Sequence, residues 1–273
     1  MTKRNPVQLL MVIPLIILIT ISCSKATIAS QPIEYDDTEL PAPESGLTCP
    51  ELMLSNVPLS IGPLEESYRE NYSDKLLDYL NLGGSIDGLR AELRNIMDWF
   101  TVEEKDITND SNPEIIVEAN WIYIIGCRGG AYQSILIIEP HDLVYDYSPI
   151  IRTNDDINNN NIPELIIAKQ TGGPSPINII EILEWDGKIF RNIVTNDQFC
   201  ISHGMDTCIR EGKIILEDGY IEYTRIEDGT KEINIISGMK MGKDPDKYGD
   251  VTPIKINLRW NGDIFVIYKI DML

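Results

Sequence analysis

Histidine is almost missing from this chain. Only His141 and His203 occur in 273 residues, and neither stands in His-Glu-x-x-His or another paired ligand spacing. That removes the common zinc-hydrolase arrangements. There is no Gly-x-Ser-x-Gly nucleophile elbow and no glycine-rich phosphate cradle, so serine-hydrolase and nucleotide chemistry have no foothold. Ser237-Gly238-Met239-Lys240 fits Ser-x-x-Lys, but its companion motifs and helical setting are absent and chance accounts for it. Positive charge is scarce too: 23 Lys and Arg face 43 Asp and Glu, a net charge of −20. Such a surface repels nucleic acid and anionic lipid and favours solubility and cation binding. A solvated acidic face is reason enough for most of these residues. With so many carboxylates, the sequence selects no glycosidase-type pair.

What is present begins at the amino terminus. Lys3 and Arg4 precede an apolar run from Leu9 to Ile21, broken by Pro14 and Thr20, the form of an export signal. The run is short for a spanning helix, which needs about 20 apolar residues. Thr20-Ile21-Ser22-Cys23 resembles the lipobox of bacterial lipoproteins, in which the cysteine is lipidated and becomes the first mature residue. The alternatives are an uncleaved anchor or an ordinary cleaved signal. The lipobox reading makes residues 1–22 a signal and tethers the chain to the bacterial cell envelope or cell surface through lipid on Cys23. Losing Lys3 and Arg4, and no acid, takes the charge from −20 to −22.

Four cysteines remain: Cys49, Cys127, Cys200 and Cys208. An even count in an exported chain points to disulfides, and four cysteines allow three pairings. Cys200 and Cys208 bracket a short loop and form the expected pair, which leaves Cys49 with Cys127. His203 between Cys200 and Cys208 also suggests a thiol–imidazole pair, against which export favours the disulfide.

Residues 23–48 are rich in Ser, Thr, Pro, Asp and Glu and read as a flexible tether. Residues 49–100 read as helical in their second half. Ser73 is placed to cap a first helix that stops at Gly83-Gly84, and Ser85 a second. In the second, Ile86, Leu89, Leu93, Ile96, Met97 and Phe100 fall on one face, a stripe suited to covering a sheet. Residues 101–273 are short β-branched runs punctuated by Gly, Pro, Asn and Asp, which is strand texture. Asp186-Gly187 and Asn261-Gly262 predict two-residue hairpin turns, and Asp228-Gly229 a third hairpin. Trp121, Tyr123 and Tyr132 suit a binding face or strand packing, with packing the commoner fate.

Two stretches stand out. Asp106-Ile107-Thr108-Asn109-Asp110-Ser111-Asn112-Pro113-Glu114 and Asp156-Ile157-Asn158-Asn159-Asn160-Asn161-Ile162-Pro163-Glu164 each run into an aliphatic strand. Oxygen-bearing side chains recur at alternate places, as a hard cation with roughly 6–8 oxygen ligands requires. Without metal, the same residues form Asx-turns. A repeat extends beyond the loops, through Gly129-Gly130 in one unit and Gly172-Gly173 in the other, with seven extra residues in the first. The end of the second unit, Glu184-Trp185-Asp186-Gly187 to Phe190, recurs as Arg259-Trp260-Asn261-Gly262 to Phe265. Asp244, Asp246 and Asp250 form only a loose cluster, read as a polar loop.

With these features together, residues 100–195 resemble the FG-GAP/VCBS repeat family, whose calcium loops join β-propeller blades as in integrin α chains. The resemblance implies one or two Ca²⁺ ions. The first would be held by Asp106, Thr108, Asp110, the Asn112 carbonyl and Glu114. The second would be held by Asp156, Asn158, Asn160, the Ile162 carbonyl and Glu164. The family's usual glycine at the sixth place is Ser111 in one loop and Asn161 in the other. Few anionic ligands imply a dissociation constant on the order of 10⁻⁴–10⁻³ M. Two units do not close a propeller of about 4–8 blades. The expected fold is therefore mainly β with a small helical segment, an incomplete propeller-like or sandwich arrangement of antiparallel β-repeats covered by two helices. The expected role is a non-enzymatic module offering a surface to a protein or carbohydrate partner. A cell-surface hydrolase with a carboxylate pair and a metal-free structural lipoprotein are the alternatives.

Overall fold

A computed structural model describes residues 48–59, 72–97, 99–140, 147–171, 177–202, 206–216, 219–237 and 254–273. The export signal, Cys23, most of the tether, Gly172-Gly173, His141, His203, Lys240 and the Asp244–Asp250 cluster lie outside these residues.

Helix α1 (Ser73–Asn81) ends as its glycines predict. Gly83 takes φ +81°, its N–H donates to the Leu80 carbonyl, and the Gly84 N–H donates to Tyr79. These are the two bonds of a Schellman stop. Its start differs from expectation: Ser73 lies inside the helix and Tyr72 holds the cap position without a side-chain cap. Helix α2 (Ile86–Arg94) is capped by Ser85, whose Oγ accepts the Gly88 N–H at 3.1 Å. It stops at Arg94, so Ile96, Met97 and Phe100 of the predicted stripe lie beyond it.

Strands β1 (Thr101–Lys105), β2 (Glu114–Glu118), β3 (Ile122–Arg128) and β4 (Ala131–Ile138) form a first antiparallel meander. The second sheet contains β5 (Tyr147–Thr153), β6 (Leu165–Gln170), β7 (Asn178–Trp185) and β8 (Phe190–Asn192). It is extended by β9 (Phe199–Ser202), β10 (Asp206–Arg210) and β11 (Lys213–Leu216), in the order β5-β6-β7-β11-β10-β9. The short β8 pairs with the far end of β7. The third meander is β12 (Tyr220–Arg225), β13 (Lys231–Ser237), β14 (Ile254–Trp260) and β15 (Phe265–Met272).

The layers stack in chain order. Both helices bury Leu76, Leu80, Leu89 and Leu93 against Ile115, Val117 and Tyr123 of the first sheet. Its opposite face, with Ile116 and Ile124, packs on Leu165, Ile167 and Leu183 of the second. The second sheet in turn packs Ile166 and Ile182 on Ile233, Ile235 and Leu258 of the third. Covered on both faces, β2 and β6 carry unbroken aliphatic runs rather than alternation. Each fully buried Ile contributes about 1.5–3 kcal/mol. Trp121 and Tyr123 are buried in the helix-facing core, with Tyr132 half-buried beside them.

Two details correct the sequence reading. The hairpins at Asp186-Gly187 and Asn261-Gly262 exist, but each loop has four residues, from Asp186 to Ile189 and from Asn261 to Ile264, closed by an N–H to carbonyl bond between its ends. The Asp186 and Asn261 side chains accept the third and fourth N–H groups of their loops and keep their own φ negative, which outcompetes the two-residue turn. The repeat also aligns differently. Gly129-Gly130 turns β3 into β4, whereas Gly172-Gly173 falls between β6 and β7. Strand pairing equates β3 with β7 and β14, since Ile115 opposes Ile125, Leu165 opposes Leu183, and Ile233 opposes Leu258.

Candidate metal centre

The two Asp/Asn loops have one backbone. Asn109 and Ser111 take φ +57° and +70°, and Asn159 and Asn161 take +63° and +71°. The sixth place is therefore left-handed in both, as a glycine there would allow. In the first loop Asp106 accepts the N–H groups of Asp110 (3.2 Å) and Ser111 (2.9 Å). In the second, Asp156 accepts those of Asn160 (3.1 Å) and Asn161 (2.9 Å). The fifth side chains accept the seventh N–H at 2.8 Å, Asp110 from Asn112 and Asn160 from Ile162. Each terminal Glu reaches back to the second residue, Glu114 to the Ile107 N–H at 2.9 Å and Glu164 to the Ile157 N–H at 2.6 Å. The loops sit directly ahead of β2 and β6, the central strands of their meanders.

What faces them across the sheet differs. Extending each register by one residue places Gly126 opposite Glu114, Glu184 opposite Glu164 and Arg259 opposite Glu232. All three glutamates are buried, at 0 %, 0 % and 8 % exposure.

In the first sheet the missing side chain of Gly126 makes room for Arg128, whose Cζ would lie 3.4 Å from an added Cβ. The Arg128 guanidinium is 4 % exposed at its side chain. It lies 2.8 Å from Asp110 Oδ2 and 3.3 Å from both Glu114 Oε1 and Thr108 Oγ1. Thr108 Oγ1 in turn donates to Glu114 Oε1 at 2.9 Å. Arg128 thus occupies the space into which the expected ligands point, and as it stands the loop does not fit an added cation. Burial, with the Asp110 charge behind it, raises the Glu114 pKa against the pull of the Ile107 and Thr108 bonds and of Arg128.

In the third sheet Arg259 Nε donates to Glu232 Oε2 at 2.6 Å, and Asn257 donates to Oε1 at 2.6 Å. Burial pushes the Glu232 carboxyl up, but these two donors together hold it below its ordinary value.

In the second sheet, among the described residues, no cation reaches the glutamate at the head of the central strand; Lys169 pairs with Glu181 further along, and Arg191 reaches Glu184 instead. Glu184, 3 % exposed, faces Glu164 directly. Glu184 Oε2 accepts the side-chain amides of Asn158 (2.5 Å) and Asn160 (2.6 Å), and its Oε1 lies 3.3 Å from Arg191, which is also paired to Asp263. Among the described residues nothing donates a hydrogen bond to the buried Glu164 Oε1. Burial first, then Glu184 and Asp156, push the Glu164 pKa up to about 8 against the Ile157 N–H. Two carboxylates in one dry site require either a shared proton or a cation.

Carboxylate oxygens for a hard cation are at hand in Glu164, Glu184 and Asp156, whereas Asn158 and Asn160 turn their amide nitrogens to Glu184 and their oxygens to the Asn160 and Ile162 N–H groups, bonds they would give up to ligate an ion. Ile162 is half-buried beside them. Among the described residues no three His, Cys, Asp or Glu side chains converge on one point, so an ion here relies on amide and backbone oxygens as well as carboxylates. The orphaned Glu164 oxygen fits such an ion. The loop is also tied to the third sheet, since the Lys231 N–H donates to the Ile157 carbonyl at 2.6 Å and Asn159 donates to the Asp228 carbonyl at 3.3 Å.

Arg128 and Glu184 are the residues the sequence reading missed. The signal for Glu184 was its difference from Arg259 at equivalent places of the Trp-Asp/Asn-Gly hairpins, and Arg128 had none. Those hairpins do match in structure, with Trp185–Phe190 and Trp260–Phe265 centroids 5.2 and 5.3 Å apart, both tilted 58°. The cysteines are joined as expected, Cys49 to Cys127 and Cys200 to Cys208. Comparison with protein-family models, with curated proteins and with solved structures finds no match.

Proposed function

We propose that this chain is a non-enzymatic, calcium-binding β-repeat module of the FG-GAP/VCBS type, exported and held to the bacterial envelope by lipid on Cys23. The observation that carries the calcium reading is the buried Glu164 Oε1, which has no donor among the described residues and faces a second buried carboxylate. A bound ion would screen that repulsion, hold the loop shut ahead of β6 and keep its contact with the β12–β13 turn. Glu164 and Glu184 would hold it with the Ile162 carbonyl, and Asp156, Asn158 and Asn160 would join them by giving up their present hydrogen bonds. The two disulfides agree with an exported chain. Burial keeps Glu164 and Glu184 from a polymeric substrate, so the hydrolase alternative would need a different carboxylate pair. The module would present its outer surface, including the exposed Tyr268 ring under the Arg259 guanidinium, to a protein or carbohydrate.

The test is thermal melting of chelator-stripped protein with and without millimolar calcium. A rise with calcium that is lost in Glu164→Gln supports the reading, and coincident curves for the unaltered chain refute it.

A further inference from the structure

We propose that the first loop is a calcium-type loop whose ion has been replaced by the chain's own Arg128, so that the protein takes up a single divalent cation, at the second loop. The inference rests on the calcium reading of the second loop and adds what the first does.

Three sheets repeat one problem: a glutamate buried at the head of the central strand needs positive charge beside it. The third sheet supplies Arg259 from the facing strand position. The first supplies Arg128 from two residues further along, reaching through the gap left by Gly126. The second places Glu184 where the others have arginine or space, which adds negative charge and leaves Glu164 Oε1 without a hydrogen-bond partner among the described residues. Arg128 touches three of the side chains that would otherwise ligate an ion, Thr108, Asp110 and Glu114. A guanidinium offers five donors in a rigid fork and stays charged at any physiological pH, so the first loop needs no calcium to close. Its Cζ also lies 5.8 Å from the Trp185 ring centroid, within the range of a cation–π contact.

Isothermal titration of calcium into the chelator-stripped full chain decides this. One ion per chain is expected, and two would overturn the proposal. Glu164→Gln should abolish uptake, whereas one remaining ion would show the first loop to be open after all. Arg128→Met should take up one ion more than the unaltered chain, and its melting temperature in chelator should fall and recover in millimolar calcium. An Arg128→Met chain that gains no ion, or that folds in neither buffer, overturns the proposal. An unaltered chain that takes up nothing refutes calcium at the second loop. In that case one ion gained by Arg128→Met still upholds the replacement, and none removes it.

Discussion

Glu184→Arg should make the second sheet independent of calcium. The substitution copies the third sheet, where Arg259 holds the equivalent position and bonds the equivalent glutamate at 2.6 Å, and it leaves the half-exposed Arg191 to its other partner, Asp263. With Glu164 raised from its ordinary 4.5 to about 8, folding at pH 7 takes up a proton there, which costs about 3 kcal/mol of stability at about 1.4 kcal/mol per pH unit between 4.5 and 7. Burial is the largest cause and remains after the substitution; Glu184 is a lesser one. Removing the like charge and adding an opposite one should therefore stabilise the calcium-free protein by about 1–2 kcal/mol. For a domain of this size that is a rise of about 2–8 °C in melting temperature. The assay is melting in chelator and in millimolar calcium, side by side. The unaltered chain should gain from calcium and Glu184→Arg should not, because its cation is now covalent. A variant less stable in chelator than the unaltered chain, or one that keeps the full calcium-induced rise, would refute the reasoning.

Two further predictions concern parts away from that loop. Glu232 is held below its ordinary 4.5 in the folded chain, so it contributes stability above that pH and loses it as pH falls through the lower folded value. Urea midpoints should drop on acidification below about pH 4.5, and Glu232→Gln should lower stability at neutral pH while flattening that drop; a parallel profile would exclude Glu232 as a contributor. The Cys49–Cys127 bond joins residues 78 apart and Cys200–Cys208 residues 8 apart. On loop-closure entropy, replacing the first pair by alanines should cost about 4–5 kcal/mol and the second about 2–3, and equal losses in denaturant titrations would show that the first loop is already restrained in the unfolded chain.

Much of this architecture is legible along the chain. Ser85 and Gly83-Gly84 mark helix ends, the β-branched runs mark strands, and the Asp/Asn loops mark the approach to β2 and β6. The site itself is only half legible. Aligning the repeats by their Gly-Gly pairs equates the wrong strands, because one pair turns β3 into β4 and the other falls between β6 and β7. With that alignment, Gly126, Glu184 and Arg259 do not meet in one comparison, and Arg128 is an unremarked residue before a turn. The four-residue loops at Asp186 and Asn261 were likewise hidden, since the side-chain bonds that set loop length act across positions that a dipeptide rule does not weigh.

Sequence alone determined the Ser85 cap, the Gly83-Gly84 stop and the strand runs, because these act within a few residues of themselves. Which charge lies against each buried glutamate was decided only by the tertiary structure. Strand register chooses the facing residue, and where that residue is Gly126, with no long side chain, an arginine from two residues away fills the space between loop and sheet.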